Sequence, residues 1–355
     1  MATVNLLEYL RSRTQVDIDT YDAEASKEIG PFQDATGNQF EIQAEIVKLN
    51  RSAVLKRSLE LAATIHPQFG TITLEELAVE MVGIELTLEV IQTVHGNVHV
   101  MVNPSYSYNT EAIVANAQRK IILFGLYVKK RDVNLYAAGL HHICKIVDPD
   151  FDTSHLVTKV PATWEGCRLR VNSSETLATT IFSIEQAILA GEAGCISISP
   201  FVHELKTETY KGYKDTNPIL GVCGQAQQFY DQNSLPTRLK ACVTMNLDEL
   251  IMLAGIDALT ITPKVLKVLA ATERPQEEVE SMSLFAKTAK ATEVVKYPSY
   301  IDSESQYWVH FAASEGGKAQ FKTAQAISLF CDAQTAAELC ITSQLEDSSY
   351  IPINL

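Results

Sequence analysis

Leu177-Ala-Thr-Thr-Ile-Phe182, then Ile184-Glu-Gln-Ala-Ile-Leu-Ala-Gly-Glu-Ala193, then Gly194 and Cys195-Ile-Ser-Ile-Ser199, is the stretch that decides the fold. Its ends are short β-branched runs, and its middle carries apolar residues at helical spacing. Gly194 falls where a helix C-terminal cap wants a left-handed residue. The same alternation runs through the chain. Val16-Asp-Ile-Asp-Thr20, a short extended piece near Asp34–Asn38, Asn97–Asn103, Leu156–Val160, Leu239–Thr244 and Ala258–Thr262 complete a series of eight candidate strands. Between them lie helical patterns over Leu74–Thr93, Glu111–Tyr127 and Leu247–Gly255. Thr73 followed by Glu76 has capping-box spacing, and Gly255 again falls at a helix end. Eight strands alternating with helices predict one parallel (β/α)8 TIM barrel. Its core spans about residues 14–270, and additional C-terminal helices follow over about 271–355. A doubly wound open sheet is the competing arrangement, but no Gly-x-Gly-x-x-Gly turn follows the first strand. Glu277-Glu-Val-Glu280 reads as a solvated face or loop, and Ala326–Leu339 as a closing helix. There is no repeat, low-complexity segment or long linker, so residues 1–355 are expected to form a single domain.

Composition narrows the function. The chain has 355 residues, 46% hydrophobic and 20% charged, with a formal net charge of −14. That surface suits neither nucleic acid nor anionic lipid, since both need clustered Lys and Arg. No run of about 18 uninterrupted apolar residues is present, so no membrane association is expected. The N-terminus carries Glu8 and no basic start, and the chain ends in Asn-Leu, so a cytoplasmic location is the default expectation. Seven widely spaced cysteines, with no Cys-x-x-Cys pair, read as free thiols. His141-His142 points its two rings different ways in regular structure, and no metal site is expected from it.

Lys159 sits in His155-Leu-Val-Thr-Lys-Val-Pro-Ala-Thr-Trp164, an apolar strand leading into a loop and helix. A lysine there is costly unless it is neutral, paired or reactive, although a strand-end lysine can also snorkel to water. Neutral amines attack carbonyls to form Schiff bases. In a barrel, polar residues at strand carboxyl ends face one site. Asp19 ends the first strand, Asn38 follows the second and Asn103 ends the third. Lys159, Thr179 and Ser199 lie on the fourth, fifth and sixth. Each has a plain structural use, as a turn cap, a strand residue or part of a loop. On successive strands they also make what a lysine aldolase needs: an amine, a carboxylate to move a hydroxyl proton, and small donors for substrate hydroxyls.

The blocks around these residues resemble the transaldolases, a class I Schiff-base aldolase family. Val16-Asp-Ile-Asp-Thr-Tyr-Asp22 resembles the family's first strand, placing its acidic residue at Asp19. Gln33-Asp-Ala-Thr-Gly-Asn38 resembles an Asp-Ala-Thr-Thr-Asn segment, giving Thr36 and Asn38. Ser107-Tyr-Asn-Thr-Glu111 resembles the opening of the helix after the third strand. Thr158-Lys-Val-Pro-Ala-Thr-Trp-Glu-Gly166 resembles the lysine signature. Phe182-Ser-Ile-Glu-Gln-Ala187, Ala193–Val202 and Leu253–Pro263 resemble later blocks, and the second of these adds Ser199 and Phe201. The resemblance implies a barrel that moves a dihydroxyacetone unit between sugar phosphates without a cofactor. It implies Lys159 as the imine-forming lysine, Asp19 as general acid and base, and Thr179 as the positioner of a water. Thr36, Asn38, Asn103, Ser199 and Phe201 fall to substrate binding. Barrels of this kind often pair, so a homodimer is one expectation.

The departures are informative. The family's third-strand glutamate, a proton shuttle, falls on Met101, and its fifth-strand asparagine on Leu177. Two arginines that grip the sugar phosphate fall on Glu204 and on or beside Met245. Their loss removes charge-assisted bonds worth roughly 1.5–3 kcal/mol each. Lys206, Lys211, Lys214 or Arg238 are the available substitutes, and His99 is the nearby candidate for the lost shuttle. The favoured reading is a lysine enzyme making or breaking carbon–carbon bonds by aldol or retro-aldol chemistry. Its partner is a small carbonyl compound other than the usual sugar phosphate, in specialised metabolism. The alternatives are an ordinary transaldolase of the pentose phosphate pathway and a catalytically silent barrel with a binding role.

Overall fold

The computed structural model describes residues 2–129, 155–168, 175–285 and 296–347. His141, His142 and Cys144 lie outside them. Ten strands are described: β1 (Thr3–Asn5), β2 (Gln15–Asp19), β3 (Ala35–Gly37), β4 (Val98–Met101), β5 (Leu156–Pro161), β6 (Thr176–Ile181), β7 (Ser197–Pro200), β8 (Arg238–Ala241), β9 (Ala258–Ile261) and β10 (Glu273–Pro275). β2 to β9 close into a parallel barrel in chain order. All eight expected strands are present, within a few residues of their expected ends. β1 and β10 form a separate antiparallel pair that the sequence pattern does not announce. The expected doubly wound alternative is excluded by closure.

Helices follow the strands as expected. Ser183 caps Ile184–Glu192 through its side chain, and Gly194, with φ of 81°, follows that helix. Gly255, with φ of 122°, plays the same part after Leu247–Met252. Side chains other than glycine pay for such angles, which is why glycine marks these ends. Thr73 takes the backbone N–H of Glu76 at 3.1 Å, so half of the expected capping box forms. The Glu76 carboxylate instead accepts from Tyr106 Oη at 2.6 Å.

Helix Leu74–Val90 departs from an amphipathic surface helix. It is buried nearly all round, because helices Ser52–Ile65, Thr110–Lys129 and Lys318–Asp347 all pack on it. Its buried acids are paired: Glu80 with Arg119 at 2.7 Å, and Glu85 with Arg57. The closing helix is longer than Ala326–Leu339, running over Lys318–Asp347. It lies against helix Gln39–Ile46 and β6, so it covers one side of the barrel's carboxyl end. The run Glu277–Glu280 is the solvated face of helix Gln276–Met282, with Val279 turned into the core.

Strand register sorts the side chains. Asp19 pairs with Thr36, Thr36 with His99, Met101 with Lys159, Lys159 with Leu177, and Thr179 with Ser199. Side chains alternate along strands, so these residues share the barrel interior. Asp19, Thr36, Met101, Lys159, Thr179 and Ser199 form an upper layer at the carboxyl ends. Asp17, Asp34, His99 and Lys240 occupy the interior one step deeper.

Candidate active site

Lys159 is 4% exposed, and its Nζ donates one hydrogen bond among the described residues, to Thr36 Oγ1 at 3.1 Å. Asp19 stands beside Thr36 on the neighbouring strand. Burial raises the Asp19 carboxyl above its ordinary range, and the Lys159 charge opposes that rise. Asp19 Oδ1 and Thr179 Oγ1 are buried with no hydrogen-bond partner among the described residues. Thr179 is fully buried. Both oxygens are open to a hydrogen bond from a substrate group or a water. Ser199 Oγ lies 3.2 Å from Cys242 Sγ, and burial pushes the Cys242 thiol well up.

The backbone is bent at the same level. Thr180, at the end of β6, has φ of 61°, and Val243, just past β8, has φ of 54°. Both are β-branched, for which the left-handed region is a strained outlier. The β6–β7 register shifts between Thr179 and Ile181 at this point. Gln186 braces the bend, donating to Ala162 O at 2.9 Å and to Thr180 O at 3.2 Å. The closing helix adds Thr323, whose hydroxyl accepts from Gln186 at 3.2 Å.

Not every expected residue points a free group at the site. Asn38 Oδ1 caps helix Gln39–Ile46, taking the N–H of Phe40 at 2.8 Å. Asn103 Oδ1 caps the turn Pro104–Tyr106, taking the N–H of Ser105 at 3.0 Å. Phe201 lies edge-on to Phe182 and Phe330, with centroids 5.8 and 6.3 Å away, so it joins the barrel to the closing helix. Met101 and Leu177 are buried in register with Lys159.

Two expected pocket positions are turned elsewhere. Glu204 Oε2 accepts from Tyr213 Oη at 2.5 Å and from Gln325 Nε2 at 2.9 Å, which ties it to the closing helix. Met245 is 45% exposed and lines an outer groove with Leu247, Asp248, Lys264 and Arg274. Position in the chain places these residues after barrel strands, but the loop path decides where they face.

The substitute cations are also placed elsewhere. Lys206 Nζ sits over the rings of Tyr210 and Tyr213, 4.9 and 4.8 Å from their centroids. Arg238 opens β8 at the opposite end of the barrel and bonds Asp257 O at 3.4 Å. Lys211 and Lys214 are exposed on the loop between.

Lys240, Glu208 and Glu41 were not read from the sequence as candidate site residues. Lys240 is buried and shared by Asp17 Oδ2 at 2.6 Å and Asp34 Oδ2 at 2.5 Å. Period-two spacing hints at this layer, since Asp17 and Asp34 each stand two residues before Asp19 and Thr36. His99 lies 3.9 Å from Asp34, and burial together with Lys240 holds it down to about 3. That value removes it as a source of imidazolium protons. Glu208 is exposed on the short helix Lys206–Thr209, and partial desolvation of its carboxyl together with the nearby Asp19 charge raises it. Glu41, on the first turn of helix Gln39–Ile46, is raised well above the ordinary carboxyl range by burial and then by Asp19, with Lys159 opposing.

A family model described as transaldolase/fructose-6-phosphate aldolase matches residues 16–314. The chain belongs to this family. Transaldolase-family members are enzymes, and the barrel and its lysine-bearing fifth strand stand within the matched span. A transaldolase of Prochlorococcus marinus is 31% identical over 278 residues, covering 75% of this chain and 76% of that protein. Transaldolase B of Pasteurella multocida is 27% identical over 96% of this chain and 99% of its own length. A transaldolase of Gloeobacter violaceus is 28% identical over 76% of this chain, which spans 66% of that relative. Among the described residues, no helix is long and apolar enough to cross a membrane.

Proposed function

We propose that this transaldolase-family chain is a Schiff-base aldolase whose substrate is a small carbonyl compound without a phosphate group. One observation carries the reading. Lys159 is enclosed at the carboxyl end of the barrel with a single neutral partner, beside the unsatisfied oxygens of Asp19 and Thr179. In the proposed reaction the Lys159 amine adds to the substrate carbonyl carbon. Loss of water gives a protonated imine. Asp19 takes the proton of the hydroxyl whose carbon–carbon bond breaks, and the bonding electrons pass into the imine as an enamine. Thr179 holds a water at its free hydroxyl, and Ser199 takes a donor hydroxyl.

The absence of a phosphate from the substrate is supported by the position of the charges. Asp19 lies within electrostatic reach of both Glu41 and Glu208, and no ion pair holds any of the three among the described residues. Glu204 occupies an arginine position, Arg238 opens β8 at the other end of the barrel, and Lys206 is stacked over Tyr210 and Tyr213.

The test compares donors. Fructose 6-phosphate and unphosphorylated ketoses are each supplied with an aldehyde acceptor, and kcat/KM is measured. The proposal expects the unphosphorylated donor to match or exceed the phosphorylated one. A preference of about 100-fold or more for the phosphorylated donor, roughly 2.7 kcal/mol of recognition, would contradict it.

A further inference from the structure

Schiff-base formation at Lys159 leaves one requirement unmet. The carbinolamine hydroxyl must leave as water, and that needs a proton donor. The register partner of Lys159 on β4 is Met101, whose thioether holds no proton. His99 is held down to about 3 by burial and Lys240, and it sits a layer deeper, next to Asp34. Thr36, Thr179 and Ser199 are alcohols, and the buried Cys242 thiol is pushed well up. Asp19 is already committed to the carbon–carbon step.

We infer that Glu41 is the general acid that dehydrates the carbinolamine on Lys159. The inference rests on the Schiff-base reading above. Its geometry begins at Thr36, whose hydroxyl holds Lys159 Nζ at 3.1 Å. Asn38 follows two residues on, about 7 Å of extended backbone. The Asn38 backbone N–H donates to Glu41 Oε2 at 2.9 Å. This bond is half of a complete capping box, and it folds the Glu41 carboxyl back over the end of β3. The charged or titratable groups facing it are Asp19 from β2, Lys159 from β5 and the Tyr21 phenol. The capping box thus holds the Glu41 carboxyl at the end of β3, the strand whose Thr36 holds the amine, within electrostatic reach of both Lys159 and Asp19. Glu208 faces Asp19 alone among these. The Asp19 charge and burial favour the protonated form of Glu41, which is the form a dehydration step uses.

The step balances. The amine nitrogen bonds to the carbonyl carbon, the carbonyl π pair moves to oxygen, and that oxygen takes the proton shed by nitrogen. Glu41 then gives its proton to the hydroxyl, the carbon–oxygen bond breaks, and water departs. The nitrogen lone pair closes the C=N bond, and Glu41 is left as carboxylate. In hydrolysis the carboxylate takes a proton back from the attacking water.

Glu41→Gln separates this role from the cap, because glutamine also completes a capping box. The pre-steady-state rate of borohydride-trappable adduct at Lys159 is measured with dihydroxyacetone across pH 5–9, alongside the thermal midpoint. The inference expects an unchanged midpoint and a rate lowered about 10²-fold or more. In the unaltered protein the rate falls as pH rises and Glu41 loses its proton. The variant lacks that limb, and added acetic acid restores part of its rate. If the unaltered protein forms adduct and Glu41→Gln matches it in rate and pH profile, Glu41 is only a cap and the inference is overturned. If the variant's midpoint falls, the acetic acid arm still decides: rescue supports the acid role, and no rescue overturns it. No adduct in the unaltered protein overturns the Schiff-base reading itself, which is a different failure.

Discussion

Two lysines point into this barrel, and they have opposite surroundings. Lys240, in the deeper layer, is shared by Asp17 and Asp34 at 2.6 and 2.5 Å. Asp17 Oδ1 also receives the Asp34 N–H, and Asp34 Oδ1 the Asn97 N–H, at 3.1 and 2.7 Å. Lys159, one layer up, has a threonine hydroxyl and nothing anionic within ion-pair distance among the described residues. Burial is alike, at 3% and 4% exposure. The difference teaches that burial alone does not mark a reactive lysine. Saturation does: a lysine divided between two carboxylates is a structural ion pair, whereas a lysine held only by a neutral hydroxyl can shed a proton and attack a carbonyl carbon.

The contrast can be broken at either lysine. Lys159→Ala removes the nucleophile, and turnover should fall by on the order of 10³-fold or more, with all trapping lost. The thermal midpoint should change little, since Lys159 has no carboxylate within ion-pair distance among the described residues. A variant that keeps activity would end the contrast at its upper pole. Asp19→Asn should lower carbon–carbon cleavage about 10²–10⁴-fold while adduct still forms on Lys159. Loss of adduct together with cleavage would show that Asp19 acts on the amine rather than on the bond.

Lys240→Met probes the lower pole. It strands two buried carboxylates, and denaturant unfolding should show a loss of about 3–5 kcal/mol. Adding Asp17→Asn and Asp34→Asn should return most of that loss. A Lys240→Met protein as stable as the parent would mean that the deeper layer is not an ion-pair layer at all.

His99 gives the most pH-selective effect. Its folded value is about 3, against about 6.5 when unfolded. The unfolded chain therefore gains a proton first on acidification. Stability is full above about 6.5 and is lost as pH falls toward 3. His99→Asn should flatten that slope between pH 6.5 and 4, measured by unfolding midpoints at several pH values. An unchanged slope would place the acid sensitivity elsewhere.

The barrel was open to reading because its evidence is periodic. Runs such as Leu156–Val160 and Leu177–Phe182, with glycines closing the helices between them, carry their own spacing. The antiparallel pair β1–β10 is only three residues per strand, too short for a pattern to stand out. The upper layer was legible for a related reason. The carboxyl end of a strand fixes where Asp19, Lys159, Thr179 and Ser199 must point, whatever the loops do. Loop residues escaped this logic: Glu204 and Met245 follow strands in sequence, yet one is tied to the closing helix and the other faces an outer groove. Asn38 and Asn103 show a further limit, since a side chain that can bind a ligand can equally cap a backbone. Glu41 went unseen as a site residue because a glutamate three residues past an asparagine announces a helix start, and nothing local reveals that the helix starts over a lysine.

The central claim is that saturation, not burial, separates the two lysines, and one measurement reaches it directly. The protein is reduced with borohydride in the presence of a reactive carbonyl donor, digested, and its peptides are mapped by mass spectrometry. The account predicts a stable adduct on the Lys159 peptide and an unmodified Lys240 peptide. An adduct on Lys240, or none on Lys159 with a donor the protein turns over, would contradict it.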